Sequence, residues 1–185
     1  MYSRETCDEK LHVAIEALIY LMGSRDDLQR RTARRSLVAM GECAVPALID
    51  SLKSKAKEIR WQAAKGLVEI GSPSSASALV EALEDSEFGV RWLAAEGLIN
   101  LGLKGVPPLL YALMRNPDSG WLREGAHHVL RVLMDKTHRD VLAPMVHMLE
   151  NYAMVADLVP TARDLLEKLE AVDIVDVEDQ SSSLQ

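Results

Sequence analysis

The sequence predicts an all-α fold, an α-solenoid of about ten helices. The first observation behind this is an internal echo. The stretch Arg60 to Gly71 reads RWQAAKGLVEIG and returns as RWLAAEGLINLG from Arg91 to Gly102. A fixed period of about 30 residues marks a repeat array. The second is composition: 48% of residues are hydrophobic, yet only one Phe, four Tyr and three Trp are present. The apolar content is mostly Ala, Leu, Val and Ile; Ala and Leu favour helices, and small Ala side chains let helices approach closely. The third is punctuation, since the ten Gly and seven Pro fall mainly at regular joints.

Residues 5–22 predict a helix, with Leu11, Ala14, Ile15, Leu18, Ile19 and Met22 at helical spacing. Gly23-Ser24 breaks it, and Ser24 or Asp26 can cap the next helix by accepting from its free amides. That helix runs to about Met40, where Gly41 ends it in the left-handed conformation. Val45, Leu48, Ile49 and Leu52 form the stripe of a short helix. After the basic loop 53–57, Arg60 opens a long helix that Gly71 closes. Ser72-Pro73 then combines a cap with a first-turn proline. Ala76, Leu79, Val80 and Leu83 give the next short stripe, Arg91 to Leu101 the third long helix, and Val106, Leu109, Leu110 and Leu113 its partner. Asn116 to Gly120 is a turn. Arg123, Ala126, Leu130 and Leu133 mark a fourth long helix, and Leu142, Met145, Val146 and Leu149 its partner. Asn151-Tyr152 is expected to interrupt the chain before a last helix at 155–170. The array thus covers 1–170, as a half-unit at 5–22 and units from about 26, 56, 87 and 118. Residues 171–185, acidic and then Ser-rich, are expected to be a disordered tail.

The register is consistent. Arg30, Arg60, Arg91 and Arg123 occupy one position, and Gly41, Gly71 and Gly102 follow the first three at one constant offset. Leu18, Leu48 and Leu79 precede the same three Arg residues at a second constant offset, whereas Leu109 stands two places further from Arg123. A two-residue insertion near Asp118 is therefore expected. Paired helices of this length cannot bury an apolar stripe alone, and stacking neighbours buries it.

Cys7 and Cys43 match no metal spacing, which fits a reducing compartment; Cys43 is expected to be buried and inert. No uninterrupted apolar run is long enough to span a bilayer and the N-terminus lacks an apolar leader core, so a cytoplasmic protein with no membrane contact is expected. The net charge of −7 is uneven: residues 23–65 sum to +5 and residues 66–185 to −10. Such an asymmetry can orient a charged partner.

The pattern Arg-x-x-Ala-x-x-x-Leu-x-x-φ-Gly (φ aliphatic or Met), from Arg30, Arg60 and Arg91, resembles the HEAT-like repeat family, specifically the short repeats of phycobilin lyases. The unit from Arg123 departs from it, with His127 where Arg34, Ala64 and Ala95 sit and Met134 where Gly is expected. The resemblance implies a right-handed superhelical stack, long helices on the convex side and short ones on the concave side. It also implies that the Arg ladder, Arg30, Arg60, Arg91 and Arg123, is structural, each Arg bonding a loop carboxylate or carbonyl such as those of Asp26, Asp85 or Asp118. Related folds include lyases, hydroxylases, glycosylases and pure scaffolds, so the fold assigns no activity.

The candidate partner-binding residues are Trp61, Trp92, Trp121, Tyr111, Arg31, Arg34 and Arg35. Trp61 and Trp92 each follow a ladder Arg, at a position that Arg31 and Glu124 fill elsewhere, so it faces solvent or a repeat edge. Two readings stay open: an interaction patch, since Trp is enriched at hot spots, and peripheral packing over neighbouring helices. Arg31, Arg34 and Arg35 share one helix face by their spacing of three and four. With Lys53, Lys55 and Lys57 they suit a solvated face or an acidic protein partner; the pI of about 5.3 counts against nucleic acid. His127 and His128 point about 100° apart and do not readily share a metal. No His-Glu pair occurs, so di-iron hydroxylase chemistry is not expected, and neither a metal nor a cofactor is assigned. Met134, Met145, Met148 and Met154 read as core filler of an irregular end unit. The expected function is a non-catalytic protein-binding scaffold or adaptor using the concave groove or the Trp edge. The alternatives are an accessory subunit resembling bilin lyases, which holds a chromophore or client, and a weak nucleic-acid binder.

Overall fold

The computed structural model describes residues 4–136, 138–150 and 155–182. Among them are ten α-helices and no strand. The chain divides into two compact units, residues 1–101 and 102–185. The first unit holds α1 (Arg4–Leu21), α2 (Asp27–Ala39), α3 (Val45–Ser51), α4 (Lys57–Ile70), α5 (Ala76–Ala82) and α6 (Phe88–Leu101). The second holds α7 (Val106–Arg115), α8 (Gly120–Lys136), α9 (Arg139–Glu150) and α10 (Val155–Ser182). Short 3-10 turns, Gly41–Ala44, Pro73–Ser75 and Gly102–Gly105, precede α3, α5 and α7.

In the first unit α4 lies between α2 and α6, while α3 packs on α4 and α5 on α6. The reason is the repeat pattern. The Ala three places after each ladder Arg is buried at Ala33, Ala63 and Ala94, and the Leu four places further on at Leu37, Leu67 and Leu98. Small side chains at the first row let neighbouring long helices approach, and Leu at the second fills the seam. The facing short helices contribute buried Leu48 and Leu79. Gly97 lets α5 come closer still, because a Cβ there would lie 2.8 Å from Leu79 Cδ1. Gly41, Gly71 and Gly102 carry φ of 59°, 68° and 62°, the left-handed conformation that stops each long helix.

In the second unit α8 packs on α7 and α9, and α10 on α7 and α9. Ala126 and Leu130 of α8 take the same buried roles as their counterparts in the first unit. The insertion expected near Asp118 is spread differently. Helix α7 has ten residues against seven in α3 and in α5, so the extra residues lengthen the helix ahead of the Asn116–Ser119 loop. Helix α8 has 17 residues and runs past buried Met134, where no left-handed Gly stops it. Met145 is buried in the same unit.

Helix α10 continues to Ser182, through most of the segment expected to be a disordered tail. No Gly or Pro lies between Ala171 and Ser182 to end it. Residues 183–185, the expected break at Asn151-Tyr152 and Met154 lie outside the described residues, as do the side chains of Cys7 and of 170–182. The stretch Phe88–Arg115 is long and apolar enough to cross a membrane by length and composition alone. Half of that window is buried, and left-handed Gly102 divides it into α6 and α7.

Candidate interaction surface

The ladder Arg residues act first on their own loops. Arg30 Nη1 donates to the carbonyls of Ser24 and Arg25 at 2.8 and 3.1 Å. Arg60 Nη1 donates to Ser54 and Lys55 at 3.0 and 3.3 Å, and Arg91 Nη1 to Asp85 and Ser86 at 2.8 and 3.3 Å. In the second unit Arg123 Nη1 reaches the Pro117 carbonyl at 3.4 Å. The acceptors stand six and five places before the Arg, so one guanidinium closes the loop ahead of each of these helices. Carboxylates enter differently from one rung to the next. Arg30 pairs with Asp27 at 3.0 Å, while Asp26 caps α2 by accepting from the Leu28 amide at 2.9 Å. Arg60 crosses to the next repeat and grips Asp85 through Nε and Nη2, at 2.7 and 3.0 Å.

That ion pair is largely shielded from water. Burial alone pushes the Asp85 carboxyl up. The Arg60 hydrogen bonds, the Glu87 amide and the charges of Arg60 and Arg91 outweigh it, and the group titrates below the ordinary Asp value. At the opposite loop row, Ser72 Oγ donates to Glu42 Oε2 at 2.8 Å, a second tie between the same kind of neighbours.

Beside the Arg60 rung lies a groove of about 360 Å³, whose lining includes Asp27, Lys57, Glu58, Trp61, Glu87 and Gly89. Trp61 is 38% exposed, and its indole lies on Gly89: a Cβ there would stand 3.2 Å from Trp61 Cδ1. Trp92, 47% exposed, pairs with Phe88 at a centroid distance of 6.3 Å and an interplanar angle of 32°. Arg91 Cζ sits 5.7 Å over the Phe88 ring. Gly89 and Phe88 are thus the immediate neighbours of the two half-exposed Trp rings. Phe88 escaped the sequence reading, although it stands four places before Trp92, one turn away on the same face. Leu28 on α2 is exposed as well. Trp121 and Tyr111, both exposed, belong to the second unit.

The basic face of α2 needs a correction. Arg31 and Arg35 are exposed, but Arg34 is buried, so it is not available to a partner. Its Nε donates to Gln62 Oε1 at 2.9 Å, and its Nη1 donates to Glu69 Oε1. The cause is register: Arg34 takes the interior position of Ala64 and Ala95, between α2 and α4. Arg31 pairs with Asp27 at the rim of the Trp61 groove, at 3.0 Å.

Cys43 is exposed, against the expectation of a buried thiol. It lies on the outer side of the Gly41–Ala44 turn, whose inward residue is Ala44. His127, half-buried, has its Nε2 3.5 Å from Glu150 Oε1, which Arg131 holds at 2.8 Å. Among the described residues no three of His, Cys, Asp and Glu converge as metal ligands would.

Residues 45–131 match the model of the HEAT repeats family. Among solved structures, the chain resembles one described as the complex of CpcE and CpcF of phycocyanin lyase from Nostoc sp. PCC7120. The identity is 24% and the TM-score 0.55, over 82% of this chain and 98% of that one. At that identity the likeness speaks for the fold. None of the curated proteins matches the chain in sequence. With buried Ala and Leu rows, left-handed Gly stops and loop-closing Arg residues at the family's spacing, the segment 45–131 belongs to the HEAT-repeat family.

Proposed function

We propose that this chain is a non-catalytic protein-binding scaffold that docks a partner on the Trp61 edge of its first unit. The observation that carries this is the exposure of three large aromatic side chains, Trp61, Phe88 and Trp92, at the N-terminal halves of α4 and α6, beside a groove. Aromatic anchors with a charged rim are what protein interfaces select. Here Lys57, Glu58 and Glu87 provide the rim, with Arg31 outside it. The test is the double variant Trp61→Ala, Trp92→Ala as bait in affinity purification from the source cells. The expected outcome is loss of the co-purifying protein with far-UV circular dichroism unchanged. Retention of that protein at wild-type yield would refute the reading.

A second reading is an accessory subunit of a bilin lyase, favoured by the likeness to a phycocyanin lyase complex. It expects the purified chain, mixed with a linear tetrapyrrole, to develop a shifted visible absorption band. An unchanged pigment spectrum would set it aside.

A further inference from the structure

Two grooves open on the short-helix side of the first unit, and they are one groove repeated. The first, of about 450 Å³, is lined by Ile19, Ala47, Asp50, Ser51 and Ser54, together with Glu16. The second, of about 220 Å³, is lined by Ile49, Ala78, Glu81, Ala82 and Asp85, together with Lys53. One period along the chain, Ile19 becomes Ile49, and Ala47, Asp50, Ser51 and Ser54 become Ala78, Glu81, Ala82 and Asp85. Each groove therefore has an Ile-Ala floor and a carboxylate at the same register position. Asp50 and Glu81 are exposed, and neither carboxylate takes part in a hydrogen bond or ion pair among the described residues.

The sign of the charge is opposite to what residues 23–65 suggest as a sequence. The acidic lining residues are Glu16, Asp50, Glu81, Glu84 and Asp85, against Lys53. His12 stands 3.2 Å from Glu16, and Asp85 is held by Arg60. Other basic residues of this stretch lie elsewhere, with Arg31 and Arg35 on α2 and Lys57 opening α4.

We infer that this face binds an extended basic segment of a partner protein, one Arg or Lys side chain entering each groove. The inference rests on the protein-binding reading but uses a surface separate from the Trp61 edge. Helices α3 and α5 line the second groove together, and neighbouring helices stand about 8–10 Å apart. A polyproline-type strand rises about 3.1 Å per residue with three residues per turn, so side chains three apart face the same way about 9 Å apart. The segment that fits carries a cationic side chain at every third position. Aliphatic stems lie on Ile19 and Ala47, or on Ile49 and Ala78, while the charged heads reach Asp50 and Glu81. Tyr20, 82% exposed, takes the register position one period before Asp50 and extends the row with an aromatic face for a third cation.

The probe is a short synthetic peptide with Arg at every third position in a proline background. A peptide of the same composition with the Arg residues adjacent, and one with Glu for Arg, serve as comparisons. The full-length chain is titrated by isothermal calorimetry. The expected order is periodic Arg above clustered Arg, with no binding of the Glu peptide. Asp50→Lys with Glu81→Lys lowers affinity for the periodic peptide at least about tenfold. Both substitutions sit in the last turns of α3 and α5, where a cation favours the helix dipole, so the variant folds; circular dichroism checks it. The Trp61→Ala, Trp92→Ala variant binds the peptide like the wild type. Absence of binding, equal affinity for periodic and clustered peptides, or unchanged affinity in the charge-reversed variant overturns the inference. The Trp-edge reading stands or falls separately, by partner capture.

Discussion

Arg60 and Asp85 join two successive repeats through a two-pronged pair at 2.7 and 3.0 Å. The same guanidinium closes the loop at Ser54 and Lys55, and the same carboxylate accepts from the Glu87 amide at 2.8 Å. Each partner thus serves a local turn and the junction between repeats at once. Asp85→Ala is expected to destabilise the first unit by about 2 kcal/mol, because it strands a shielded guanidinium. Urea unfolding followed by circular dichroism measures it.

The same carboxylate predicts an acid dependence. Its folded value lies below the ordinary 3.8, so its contribution is full above that value and fades as pH falls through the lower, folded one. The stability difference between wild type and Asp85→Asn should therefore be largest at neutral pH and shrink on acidification below about pH 4. A difference independent of pH would mean that the pair is not ionised as described.

Two helix glycines with the same repeat position separate packing from propensity. A Cβ at Gly97 meets Leu79 Cδ1 at 2.8 Å, whereas at Gly66 the nearest atom, Leu48 Cδ1, is 3.3 Å away. Gly97→Ala is expected to cost about 1–2 kcal/mol after the gain in helix propensity. Gly66→Ala is expected to be close to neutral. Thermal melts of the two variants side by side decide it.

Arg34 should behave as a core residue. Arg34→Ala leaves Gln62 and Glu69 without their donor and is expected to cost about 2 kcal/mol. Arg35→Ala, on the exposed neighbour, is expected to change stability by less than about 0.5 kcal/mol. Chemical denaturation of both variants tests the contrast.

Cys43 should react in the folded protein. In a Cys7→Ser background, a thiol-specific reagent is expected to modify Cys43 without denaturant, at a rate that added urea raises only about twofold. Protection until unfolding would contradict its exposure.

Much of the fold is legible in the sequence because the repeat states it several times. The ladder Arg, the Ala and Leu rows and the left-handed Gly recur, and each recurrence has one physical cause. Arg34 shows where that reading runs short. Its spacing from Arg31 and Arg35 suggests a shared face, but Ala64 and Ala95 mark its position as interior, and the repeat prevails over local helical spacing. Trp61 and Trp92 are legible as surface residues from the polar groups that fill their position elsewhere. Gly89 as the bed of the Trp61 ring is not, since a glycine within a helix carries no sign of what lies on it. The acidic grooves are hidden for another reason. Their carboxylates come from α1, α3, α5 and the loop after α5, separated in sequence by helices rich in Arg and Lys, and only folding brings them onto one side.

The loop-closing bonds of the ladder Arg residues are made five and six places back along the same stretch of chain. A block such as 54–84, which holds Ser54, Lys55 and Arg60, therefore carries its own loop-closing bonds. Duplicating or excising such a block leaves every loop intact and changes only how many rungs the ladder has. The first unit is thus a ruler whose length can be edited in steps of one helix pair, with the reach of any bound segment changing by the same increment.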